Sequence, residues 1–113
     1  MIKAALEKDE GGFRLDISGH ADFAPKGEDL LCAAVSALVW GLAGYVRRLE
    51  KEGMALSATG VELEPGRAVI QLCPEPQARG RAAGAFGLAA EILALLGKNY
   101  PENIQFTVKR RNK

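Results

Sequence analysis

His20 and Cys32 stand twelve residues apart, the one imidazole of the chain and one of its two thiols. The run between them reads Gly19-His20-Ala21-Asp22-Phe23-Ala24-Pro25-Lys26-Gly27-Glu28-Asp29-Leu30-Leu31-Cys32. A cysteine attacks as its thiolate, so it needs a group to take its proton and later to protonate a leaving amine. An imidazole does both near neutral pH. A helical pattern begins where the run ends, which places Cys32 in a first turn. There the backbone N–H groups point outward along the axis and the helix end carries a partial positive charge. Both favour thiolate over thiol, and the same N–H groups suit an oxyanion formed beside the sulfur. The plainer readings stay open beside this one. Cysteine is among the most buried residue types, so Cys32 also fits a core position, and His20 also fits a loop histidine with a structural hydrogen bond.

Four neighbours of the pair have readings of their own. Asp29, three residues before Cys32, suits a helix N-cap that accepts a backbone N–H; it also suits a carboxylate that orients His20. Ser36 lies one turn after Cys32 on the same face. It can bond the thiol or a substrate, or bond back to the carbonyl at Cys32. Gly19 and Gly27 bracket the histidine, as in a lid or in ordinary turns. Cys73, just before Pro74, reads as a packing residue. One histidine and no C-x-x-C pair leave no zinc ligand set, so neither metal nor cofactor is expected.

Those residues must be held by a small fold. The chain has 113 residues, 48% hydrophobic and 26% charged, with a formal net charge of +1. That is one domain, over residues 1–113, with enough apolar surface for a core. The charge balance gives no case for nucleic-acid binding. Two cysteines make no disulfide framework and read as reduced thiols of a cytoplasmic protein. No export signal is legible in Met1–Lys8. Leu30–Val46 lacks charge, but Ser36, Gly41 and Gly44 dilute it, and it reads as a buried helix rather than a membrane span.

Met1–Lys8 and Phe13–Ser18 read as a hairpin around Asp9-Glu10-Gly11-Gly12, with Phe13, Leu15 and Ile17 on one face. A helix is expected over Asp29–Glu52, along Leu31, Val35, Leu38, Leu42, Val46 and Leu49, ended by Gly53. It is apolar on most sides and so needs more than one partner layer, or a second subunit. Ala58–Leu63 and Arg67–Cys73 read as strands about Glu64-Pro65-Gly66. Ala78–Leu96 reads as a second helix, buried along Ala82, Ala85, Ala89, Ile92 and Leu96 and capped by Gly97. The shared face of Gly80, Gly84 and Gly87 suggests close helix packing. Asn103–Lys109 is a last strand before a basic tail. The order β-β-α-β-β-α-β, with hairpins, is an α+β fold of mostly antiparallel pairing.

The run Gly19-His20-Ala21, then Gly27, Asp29 and Cys32-Ala33-Ala34-Val35-Ser36-Ala37-Leu38, resembles the signature of the ribosomal-processing cysteine protease Prp family. Length and element order agree over the whole chain. Beyond Glu50 the resemblance rests on pattern rather than motif, and many members carry glycine where this chain has Asp22. The resemblance implies a cytoplasmic endopeptidase that removes a short N-terminal extension from large-subunit ribosomal protein L-twenty-seven, after consecutive phenylalanines. It implies a homodimer with helices between antiparallel sheets, with no membrane partner and no nucleic-acid binding required. On this chain Cys32 is then the nucleophile and His20 the proton-transfer partner, with Asp29, Ser36, Gly19 and Gly27 in support. Two other readings of the residues are a ribosome-associated binding module without enzymatic activity, and a thiol redox sensor using Cys32.

Overall fold

The computed structural model describes residues 1–19, 30–57 and 59–110. Its first two strands, β1 (Ile2–Lys8) and β2 (Phe13–Ser18), form the expected hairpin. Asp9 shapes the turn, its Oδ1 accepting the N–H groups of Gly11 and Gly12 at 2.7 and 2.8 Å. After helix α1 (Leu30–Lys51) come β3 (Gly60–Glu64) and β4 (Arg67–Leu72), then helix α2 (Arg79–Asn99) and β5 (Ile104–Arg110). The five strands make one sheet in the order β3-β4-β2-β1-β5. Three pairings are antiparallel; β5 lies parallel to β1, which no hairpin argument anticipates.

Register explains why one face of this sheet is the core. A single row crosses it through Val108, Leu6, Leu15, Ile70 and Val61. Side chains alternate along a strand, so Ile2, Ala4, Leu6, Phe13, Leu15 and Ile17 all turn to the same side. There they join the buried residues of both helices in one cluster. Phe13 stacks on Phe86 with centroids 5.1 Å apart, and the Arg79 guanidinium lies over Phe13 at 5.7 Å. The pair adds about 0.5–1.5 kcal/mol beyond its burial. The opposite face is polar, with Asp16 bridging Arg14 and Arg67 at 3.5 and 3.1 Å.

The helices depart from expectation in informative ways. In α1 the buried line includes Val39 and Ala43, while Leu38 is only partly buried. In α2 the line runs through Ala82, Phe86, Ala89 and Leu93, and Ile92 is exposed. Gly97 is not the cap: the helix continues to Asn99, and Gly97 packs beside the Ile104 carbonyl. Gly53 does end α1, at φ +76, with Gly53 N–H bonded to Glu50 and Met54 N–H to Leu49. That double closure is a Schellman cap.

A cysteine after β4 is exposed rather than packed: Cys73 fails the expectation made for it. A sandwich of helices between sheets needs a second sheet, and the described residues hold one. Both helices are long and apolar enough to cross a membrane by composition alone. Here the sheet covers one side of each, and the side away from the sheet stays open.

Candidate active site

Cys32 occupies the first turn of α1, half-buried and packed against the core cluster beside the buried Leu31 and Val35. Ser36 follows one turn later, half-buried on the same side. These two predicted site residues therefore share one flank at the N-terminal end of a well-packed helix. His20, Asp22, Gly27 and Asp29 lie outside the described residues.

The strand end that leads into His20 is built with unusual care. Gly19 has φ +92, a conformation that side chains disfavour. Its N–H donates to the Gly66 carbonyl at 2.8 Å, in the turn between β3 and β4. A Cβ at Gly19 would overlap the Met1 carbonyl oxygen, which is backbone and has little room to give. Three chain segments thus meet at residue 19. The sequence marks Gly19 only as a bracket of the histidine segment and Gly66 only as a turn residue, because their contact spans 47 positions.

Gly19→Ala should consequently destabilise the fold by about 1–3 kcal/mol, from the left-handed backbone and the displaced carbonyl. Urea unfolding monitored by circular dichroism would check it. A midpoint equal to that of the parent chain would contradict the junction.

Topology places α1's start at this same end of the sheet. Its far end is tied down elsewhere, by Leu56 N–H to the Cys73 carbonyl at 2.7 Å and Glu75 N–H to Met54 at 2.7 Å. Between Cys32 and that end the helix rises by about 28 Å. A disulfide requires Cα atoms within about 7 Å. Cys73 therefore cannot resolve an oxidised Cys32 within one chain, which removes the simplest form of a redox sensor.

The flanks of α1 are also defined. Tyr45 and Glu52 meet Arg81 of α2, at 3.0 and 3.1 Å. On the other side Glu50 Oε2 accepts the Thr59 N–H at 3.1 Å, just before β3. That backbone donor, then the Thr59 hydroxyl, holds the Glu50 carboxyl below its ordinary value. Glu50 lies about five turns after Cys32, so the two share an azimuth. Cys32 and Ser36 thus lie on the flank of α1 away from α2.

A thiol in a helix first turn, an apolar bed beneath it and a fixed strand end before the sole histidine form an arrangement suited to nucleophilic attack on a carbonyl. Comparison with known proteins points the same way. The family model described as cysteine protease Prp matches residues 1–105. A ribosomal processing cysteine protease Prp from Mycoplasma pneumoniae is 31% identical over 101 residues, 88% of this chain and 90% of that protein. The Prp of Bacillus subtilis is 42% identical over 48 residues, covering 41% of this chain and 43% of its own length. Among solved structures, the ribosomal processing protease Prp from S. aureus in complex with a covalently linked product peptide superposes with a TM-score of 0.74. It is 23% identical and covers 96% of this chain and all of that one.

Proposed function

The chain belongs to the cysteine protease Prp family, and from that premise we propose that it removes the N-terminal extension of ribosomal protein L-twenty-seven, with Cys32 as nucleophile and His20 as its acid–base partner. The observation that carries the reading is the half-buried Cys32 in the first turn of α1, at the sheet end from which His20 follows. His20 takes the thiol proton and the sulfur attacks the scissile carbonyl carbon. Outward-pointing N–H groups of the helix start stabilise the oxyanion. The imidazolium protonates the departing amine, leaving a thioester. Water, deprotonated by His20, then releases the extension as a free acid and restores the thiol. Asp29 fits the cap of this helix and Ser36 the wall beside the sulfur, with Gly19 and Gly27 bounding the histidine segment. The S. aureus relative with a covalently linked product peptide is consistent with an acyl-type intermediate.

A cytoplasmic location follows from this role, and so does a homodimer from the open helix faces. Trp40 is 68% exposed and Leu88 63%, with Leu95 and Ile92 alongside. Gly41, Gly44, Gly80, Gly84 and Gly87 have open space where a Cβ would stand, so the close packing expected of Gly80, Gly84 and Gly87 is not made among the described residues. Each glycine costs a helix about 1 kcal/mol relative to alanine. A second copy approaching closely across both helices accounts for that pattern. Trp40→Glu should shift the protein to monomer in sedimentation velocity; an unchanged profile would remove the interface.

The function itself is tested by mixing the pure protein with the organism's own L-twenty-seven precursor and reading intact masses. A single cut that removes the extension is expected. An unaltered precursor would end the proposal.

A further inference from the structure

We infer that Arg79, Lys8 and Arg110 form a basic strip at the turn end of the β1–β2 hairpin, and that it binds the phosphate backbone of RNA. The strip lies at the end of the sheet away from Gly19. The choice of RNA as the polyanion rests on the proposed function, whose substrate is a ribosomal protein.

Register lines the three cations up. Arg110 pairs with Lys8, and Lys8 with Phe13, so these side chains share one face of the sheet. The Arg79 guanidinium lies over the Phe13 ring at 5.7 Å. Its Nη2 donates to the Asp9 carbonyl at 3.0 Å, which ties it to the turn. The row therefore runs Arg79, Lys8, Arg110, from the start of α2 to the outer strand. Lys8 and Arg110 are exposed, and Arg79 is half-buried.

Folding alone would not choose these charges. Adjacent strands stand about 4.8 Å apart, so Lys8 and Arg110 on one row repel each other. Arg79 opens α2, where the helix end is already positive and an acid would be favoured. That first turn holds no acid, and Ala78 before it offers no side-chain cap. Among the described residues Arg14, Arg67 and Arg81 have carboxylate partners, and the three cations of the strip have none. Two carboxylates close in sequence are turned elsewhere. Glu7 is on the other face beside Arg14, and Asp9 Oδ1 takes the Gly11 and Gly12 N–H groups. Glu10, exposed in the same turn, offsets one charge. A formal net charge of +1 hides this local surplus.

The chemistry of the strip selects among polyanions. Guanidinium forks match phosphate oxygens in pairs, and two of the three cations are arginines. After Arg110 the sequence continues Arg111-Asn112-Lys113, again basic and without an apolar residue. A membrane surface takes an apolar anchor besides charge, and an acidic protein takes an apolar centre. A nucleic-acid strand needs neither, since phosphate contacts supply affinity without reading sequence.

The test titrates the full chain into a fluorescein-labelled single-stranded RNA of mixed sequence and follows anisotropy at several salt concentrations. Saturable binding that weakens with salt is expected. Lys8→Gln with Arg110→Gln should weaken it at least about tenfold at low salt and flatten the salt slope by roughly 1.4, the share of two phosphate contacts. Lys3→Gln with Lys98→Gln removes the same charge at the opposite end of the sheet. That pair should cost less than about twofold, because solvent and salt screen charges so far away. The Lys8 and Arg110 double variant should melt no lower than the parent, since it relieves a repulsive pair; if it melts lower, Arg110→Gln alone decides the binding. Precursor cleavage without RNA should be the same in parent and double variant. No saturable RNA binding, binding that ignores Lys8 and Arg110, or an equal loss in the control pair would overturn the strip. So would tighter binding of duplex DNA, of a polyglutamate peptide or of phosphatidylserine vesicles, each of which assigns it to another partner. Salt-sensitive RNA binding through these residues upholds it even where the precursor stays uncut, a result that sinks the cleavage reading alone.

Discussion

Cys32→Ala should bring precursor cleavage to the uncatalysed background while leaving the fold in place. Among the described residues of the first turn of α1, Cys32 carries the one side chain able to form a covalent intermediate. Removing it deletes the step rather than slowing it. Cys32→Ser should be nearly as inactive, since a hydroxyl has no comparable fraction of anion at neutral pH. Stability should change little, within about 1 kcal/mol, because the residue is half-buried and the loss is one small atom at the margin of the core. Mass spectrometry of the precursor and a urea titration together separate the two effects. Undiminished cleavage by the alanine variant would dismiss the nucleophile; a collapsed fold would show that Cys32 is there for packing.

His20→Ala should come second in size, lowering kcat/KM by about a hundred- to ten-thousand-fold, the usual range for a lost acid–base group. No other imidazole exists in the chain to substitute for it. The informative companion is thiol reactivity. In the parent protein Cys32 should react with iodoacetamide faster than Cys73 near neutral pH, although Cys73 is the more exposed of the two. His20→Ala should slow Cys32 and leave Cys73 alone. Equal rates at both thiols in the parent chain would mean that exposure, not activation, governs the chemistry.

Much of the scaffold around these residues was legible in the chain. Alternation in Phe13–Ser18 set the buried face of β2, and Asp9 to Gly12 announced the turn. Both are local signals, read over a few residues. The parallel pairing of β5 with β1 was not legible, because it joins segments about a hundred positions apart and no turn encodes it. The α2 stripe was misread by part of a turn. Its apolar residues occur on every side, and the stacking of Phe86 on Phe13 with the burial of Leu93 shows which side faces the core. Glycines on that helix suggested packing within the chain, and space alone shows that they face outward. At the candidate site, types and spacing marked His20 and Cys32. The support from Gly66 comes from a contact between distant turns, which a linear sequence does not display.

The pairing of β1 with β5 has a consequence for how the molecule is made. The β1–β2 hairpin closes with a four-residue turn and can form as soon as it is synthesised. Its other edge then waits through some ninety residues of synthesis for Ile104–Arg110. Until then Ile2, Ala4 and Leu6 belong to an unprotected border, the kind of surface that seeds aggregation. The contact that seals this border is also among the longest in the chain, and long-range contacts are slow to form. Refolding should therefore end with capture of β5. A β5 weakened by Phe106→Ser should slow that final phase and raise the aggregated fraction, with little change in the early burst of helix.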